Sequence, residues 1–210
     1  MEAADAADTI REVAEGEGEA ARDSAERFRR RAAVTIAVLA MLLALTSLGG
    51  ANAGKETTNN NIQASDTYAF YQAKNIRQTQ YQLAADDLQA RLDTAELPPA
   101  ARAATQRRLD DYAATIARYE SEPGRDGQPG QGKRELLAQA RDFAARRDRA
   151  QRQDPNFDYA QALFQIAIVL GSVSIVATSR RLLLLALALG VVATVLMVNG
   201  YLLLFALPLG

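Results

Sequence analysis

The sequence predicts an all-α integral membrane protein with three transmembrane helices. A long helical hairpin of coiled-coil character is inserted between the first and the second. Three observations point that way. The 24 basic and 25 acidic residues are segregated, because residues 32–54, 159–179 and 182–210 carry no charge at all. The charged remainder repeats its apolar residues in steps of three and four, which is helical periodicity. Runs of β-branched residues, the mark of strands, are absent from it.

The elements follow in order. Residues 1–31 form an acidic, then basic, tail. The first 26 hold nine acids against two arginines, the composition of a solvated or partner-binding segment. Arg27, Arg29, Arg30 and Arg31 close the tail. Residues 32–51 are long enough to cross a hydrocarbon core, which needs about 20 apolar residues. Ala51-Asn52-Ala53 also has the form of a signal-peptidase site. However, 31 residues precede the apolar run, most of them acidic or polar, where a leader peptide has a short basic start.

Residues 159–179 and 182–207 are the second and third spans, joined only by Arg180-Arg181. So short a connection makes them a tight hairpin. Ala167, Gly171, Ser174 and Thr178 form a small-residue stripe on the second span. Ala186, Gly190 and Thr194 form one on the third. Such stripes let helix backbones approach closely in lipid, where no hydrophobic drive brings helices together. Gln165 and Asn199 are the amides well inside these spans, and each is expected to bond a neighbouring helix. No ionisable residue lies within a span, which argues against proton-coupled transport.

Arg29, Arg30 and Arg31 before the first span and Arg180 and Arg181 between the last two determine the topology. Both clusters fall on one side of a three-span protein, and basic residues stay in the cytoplasm. The N-terminus is therefore expected inside and the insert outside. Arg141, Arg146, Arg147, Arg149 and Arg152 lie on the outer side in this reading. Long segments translocate largely regardless of charge.

The insert, residues 52–158, balances 16 acids with 16 bases. One apolar seam comprises Ala64, Tyr68, Tyr71, Asn75, Gln78, Tyr81, Ala85, Leu88 and Leu92. A second comprises Thr105, Leu109, Tyr112, Ile116 and Tyr119. A third, weaker one runs from Leu136 through Ala140 and Phe143. These predict helices at 64–96, 99–121 and 133–153 with a glycine- and proline-rich loop at 122–132. Pro98 ends one helix and Pro99 suits the first turn of the next. The outgoing and returning arms match in length, which favours a hairpin with an interrupted return arm over a compact three-helix bundle. Narrow seams rich in tyrosine and amide bury little within one hairpin, so association between protomers is expected.

Several motifs fail on inspection. Gly127 to Lys133 fits the start of a phosphate-binding loop, yet Arg134 stands where Ser or Thr must hold magnesium. Asp86-Asp87 and Asp110-Asp111 are adjacent on helices and do not face each other. The basic run from Lys133 to Arg152 lacks the interleaved aromatics of a nucleic-acid surface, so no nucleic acid is expected. The chain has no Cys and no His, which removes thiolate and imidazole chemistry; no catalytic residue, metal or cofactor is expected.

The segment Asn59-Asn60-Asn61-Ile62-Gln63-Ala64-Ser65-Asp66-Thr67-Tyr68-Ala69-Phe70-Tyr71-Gln72-Ala73-Lys74-Asn75-Ile76-Arg77 is similar to the core of a bacterial membrane family, domain of unknown function 4337. The resemblance spans roughly residues 20–205. It implies a bacterial inner-membrane protein, with a charged helical region between an early span and two closing ones, and no established activity. Within this core Ser65 and Asp66 read as a helix start. Tyr68, Tyr71, Gln72 and Lys74 complete a collar able to meet a protein partner or lipid head groups.

The expected function is that of a non-enzymatic homo-oligomeric scaffold in the lipid bilayer. Partners would dock at the insert or at the N-terminal tail. Two alternatives are a small channel or transporter lined by Gln165, Ser172, Ser174 and Asn199, and a sensor coupling the insert to the tail.

Overall fold

The computed structural model describes residues 2–206, with side chains from residue 22 onward. These residues form four helices and no strand: α1 (Glu2–Thr94), α2 (Pro99–Glu120), α3 (Lys133–Val176) and α4 (Arg180–Leu202). They divide into two compact units. One comprises Met1–Gly54 with Gln151–Gly210, the other Lys55–Ala150.

Two predicted breaks are absent. Residues 52–63 are helical, so α1 runs from the first apolar segment into the insert without interruption. Ser65 and Asp66 therefore lie in the helix interior and cap nothing. No proline stands in this stretch, and its polar side chains fold back on the helix, with Asn60 donating to the Glu56 carbonyl and Thr67 to that of Gln63. Likewise α3 continues through Pro155 into the second apolar segment. The ring costs one backbone hydrogen bond there.

The apolar unit is built from α1, α3 and α4. Leu39, Ala160, Phe164, Ala167 and Ala193 form its buried centre, with Leu42, Leu163, Leu189 and Leu196 packed around them. The small residues serve α1 as well as the α3–α4 pair. A Cβ on Gly171 would stand 2.9 Å from an Ile36 side-chain carbon, and one on Gly190 would stand 2.5 Å from a Leu39 methyl. Ala167, Ser174 and Ala186 are fully buried. The buried hydroxyls bond within their own helices, Thr46 to the Leu42 carbonyl and Ser174 to that of Gly171. Thr194, half-buried, does the same with Gly190. Thr178 is not part of the α3 stripe. Helix α3 ends at Val176, and Thr178 takes φ 47° in the turn before α4, a region β-branched residues rarely enter.

The charged unit is thinner. Helix α2 opens with Pro99 at its first turn and has no fully buried residue. Arg102 donates to the Leu92 carbonyl, Tyr81 packs against Tyr112 and Tyr119, and Gln78 reaches Ile116. As numbers fall along α1 they rise along α2, so the two are antiparallel. Lys133 then bonds Gln78 and Arg147 bonds Asn61, so α3 continues the return direction along α1.

Candidate functional site

Two polar clusters and one arginine cleft stand out, each within a single unit.

The first cluster ties the loop of residues 121–132 to α1. Gln78 is 5% exposed, in the middle of the α1 seam. Its amide donates to the Ile116 carbonyl at 3.1 Å and to Glu120 at 3.2 Å, and its oxygen accepts from Lys133 Nζ at 2.7 Å. Glu120 also pairs with Arg134 at 3.0 Å. The Gln78 hydrogen bond first, then the one from Arg134, holds the Glu120 carboxyl below its usual range. Lys74 pairs with Glu122 at 3.4 Å and lies over the Tyr119 ring. Glu135 accepts from the Ser121 hydroxyl at 2.6 Å and from the Glu122 amide at 3.2 Å. The Ser121 bond is the main reason that its carboxyl too is depressed. Loop residues with little apolar surface are thus held by charge-assisted hydrogen bonds.

The second cluster closes one end of the apolar unit. Phe157, 2% exposed, fills a slot walled by glycines. A Cβ on Gly49 would stand 2.6 Å from its ring and one on Gly200 2.8 Å, while one on Gly50 would stand 3.3 Å from the Phe157 Cβ. Tyr201 packs edge-on against the same ring at 4.9 Å and donates its hydroxyl to the Leu45 carbonyl. Beside it, buried Asn199 donates to Asn156 Oδ1 at 2.6 Å and to the Phe205 carbonyl, while accepting from the Phe205 amide. This clamp turns the chain at Leu203, whose φ of 50° ends α4. The helix therefore stops at Leu202, short of the predicted 207. Residue 207 lies outside the described residues.

The third feature is a cleft of 370 Å³ lined by Arg27, Phe28, Arg31, Arg180, Leu183 and Leu184 together with Ser24.

The predicted residues distribute unevenly over these sites. Of the collar, Ser65, Asp66, Tyr68 and Gln72 are exposed, whereas half-buried Tyr71 and Lys74 join the first cluster. All five topology arginines are exposed; Arg31 and Arg180 line the cleft, and Arg29, Arg30 and Arg181 do not. Gln165 and Ser172 are exposed, while Ser174 and Asn199 are buried and bonded to backbone, so these four share no lined passage within the chain. Lys133, the last residue of the phosphate-loop pattern, is bound to Gln78 and Glu120. Asp87 pairs with Arg91, and Asp110 accepts from Gln106. Among the described residues no group of three or more His, Cys, Asp or Glu is placed to hold a metal. The sequence pattern places Gln78 in the seam and gives it no further role. The signal was there, since an amide in a narrow seam needs partners. Phe157 and Asn156 carried no local signal, because their partners lie far away in sequence.

A family model described as Domain of unknown function (DUF4337) matches residues 28–203. The chain belongs to that family. The first cluster falls inside the matched DUF4337 region, as do Arg31, Arg180 and all of the second cluster but Phe205; Arg27 stands one residue before it. No curated protein and no solved structure matches the chain.

Proposed function

We propose that this chain is a bacterial inner-membrane scaffold. Three helices span the bilayer, and the charged helical unit assembles copies or docks partners, without catalysing a reaction. The membrane reading is supported by three helices long and apolar enough to cross. Of their apolar windows only 22%, 28% and 28% of residues are buried. Val34, Met41, Val169, Leu184 and Val191 are among the large side chains left exposed. So much apolar surface calls for lipid around it. The convergence of Arg27, Arg31 and Arg180 on one cleft supports a cytoplasmic N-terminus, with the α3–α4 turn on that same side and the insert outside.

The observation that carries the scaffold reading is a second stripe on α1. The seam facing α2 and α3 is used within the protomer. Ile62, Ala69, Ile76, Leu83 and Ala90 remain exposed, each seven residues from the next, with Ile62, Ile76 and Leu83 at 54%, 59% and 65%. A seven-residue apolar repeat supplies one of the two core positions of a coiled-coil contact, and the other here carries Ser65, Gln72, Thr79 and Asp86. Membrane insertion gives every copy the same orientation, so identical stripes meet in parallel and in register. The flanking pairs would then be Asn61 with Asp66, Tyr68 with Ala73, Asn75 with Gln80 and Gln82 with Asp87, none of them like-charged. Asp86 opposes its own copy at the far end and limits the strength of the contact.

The chain has no cysteine, so single-cysteine variants test this directly. Oxidising native membranes that carry Ile76→Cys or Leu83→Cys is expected to give disulfide-linked dimers. Arg108→Cys, exposed on α2, is expected to give none. Equal cross-linking at all three positions, or none at the stripe, sinks the assembly.

A further inference from the structure

The arginine cleft has features that topology alone does not require. Arg27 and Arg31 stand one turn apart on one face of α1, and Arg180 comes from the start of α4. Three guanidiniums around one cleft repel one another unless an anion sits among them. Among the described residues Arg27 has only a long, exposed pair with Asp23 at 3.8 Å, and Arg31 and Arg180 have no carboxylate within ion-pair distance. The first turn of α4 contains no acid either.

The rest of the lining is apolar. Phe28 is 8% exposed and forms a floor, and Leu183 and Leu184 form a wall, with Leu184 65% exposed along the face of the apolar helix. A small inorganic anion has no use for such a wall. An amphiphile does: its phosphate meets the arginines, which suit phosphate oxygens through planar paired donors, while its chain lies along Leu184. We infer that this cleft is a binding site for the headgroup phosphate of an anionic phospholipid, with an acyl chain held against α4. The site rests on the membrane-spanning reading and adds to it a specific lipid class. Basic recesses between membrane helices on the cytoplasmic side are where such headgroups gather.

The test uses the purified full chain. Flotation with neutral phosphatidylcholine vesicles comes first, because failure to float overturns the membrane reading and the site with it. Binding is then measured in detergent micelles by thermal stabilisation and by lipid adducts in native mass spectrometry. The probes are phosphatidylglycerol, phosphatidylcholine of the same chain length, and inorganic phosphate. Phosphatidylglycerol is expected to bind and stabilise, and the other two are not.

Two variants lose the same charge. One carries Arg27→Gln, Arg31→Gln and Arg180→Gln; the other carries Arg29→Gln, Arg30→Gln and Arg181→Gln, which lie off the cleft. The cleft variant is expected to bind phosphatidylglycerol about tenfold more weakly than the off-cleft variant. If the cleft variant loses helicity, Arg180→Gln alone takes its place, with a smaller expected loss. Equal losses in both variants reduce the site to general surface charge and overturn it. Stabilisation by phosphate alone equal to that by lipid overturns the lipid assignment.

Discussion

The two units of this chain solve the same problem, holding three helical segments together, by opposite means. The apolar unit relies on shape. Glycines at 49, 171, 190 and 200 admit Phe157, Ile36 and Leu39 at distances no Cβ would permit. The charged unit relies on named hydrogen bonds around Gln78, Glu120, Lys133 and Glu135, with few buried side chains behind them. Close packing is sensitive to volume and has no charge of its own to titrate. A polar knot is the reverse. If lipid surrounds the apolar unit, as proposed, one chain has reason to carry both. Where water is absent, contact area must do the holding, and where water is present, a solvated helix pair needs specific polar partners.

The largest expected effect tests the packing side. Phe157→Ala empties the slot between Gly49, Gly50 and Gly200 and is expected to cost about 3 kcal/mol. Its check is the unfolding of the apolar unit in detergent, followed by tyrosine fluorescence of Tyr201. A loss no greater than that of an exposed substitution such as Val176→Ala erases the contrast. Next in size is Gln78→Ala. It removes three hydrogen bonds from the charged unit and is expected to cost about 2 kcal/mol there. Amide exchange resolved along the chain should rise over α2 and the start of α3 and stay unchanged in α4. A change spread evenly over both units breaks the comparison.

How legible all this was in the sequence follows from the same contrast. The apolar segments announced themselves by composition, and the seam residues Thr105, Leu109, Tyr112, Ile116 and Tyr119 are among the half-buried ones on α2. Gly49-Gly50 lies inside the first predicted span, with no sign of what it packs against. Its actual role depends on a phenylalanine more than a hundred residues later, and such a pairing leaves no local pattern. Ser65-Asp66 misled. A good capping pair inside a continuous helix is only a pair of polar surface residues. The small-residue stripes were visible, but their partner was not. Nothing in Gly171 or Gly190 says that α1 will fill the space. The arginines were read for topology by count, and only the fold separates Arg31 from Arg30.

The smallest effect is the one that opposes the two units most directly. Glu120 and Glu135 are both depressed, by hydrogen bonds from Gln78 and Ser121 respectively. A depressed carboxyl contributes stability that is complete above its unfolded value of about 4.3 and is lost as pH falls through the lower folded value. Asp154, in the apolar unit, is raised, first by burial and then by the charge of Asp158. A raised carboxyl has the opposite sign. Its ionisation costs stability, so the folded unit gains as pH falls toward its unfolded value. Acidification is therefore expected to loosen the loop of residues 121–132 and the start of α3 while tightening α3 around Asp154. Amide exchange, corrected for its intrinsic pH dependence, reads both regions in one experiment. Glu135→Gln should blunt the acid loosening of the loop, because its charge no longer titrates. Asp154→Asn should abolish the acid gain around it. Two regions that respond with the same sign would mean that the polar knot and the packed slot are one cooperative structure, and the division between shape and charge would fall.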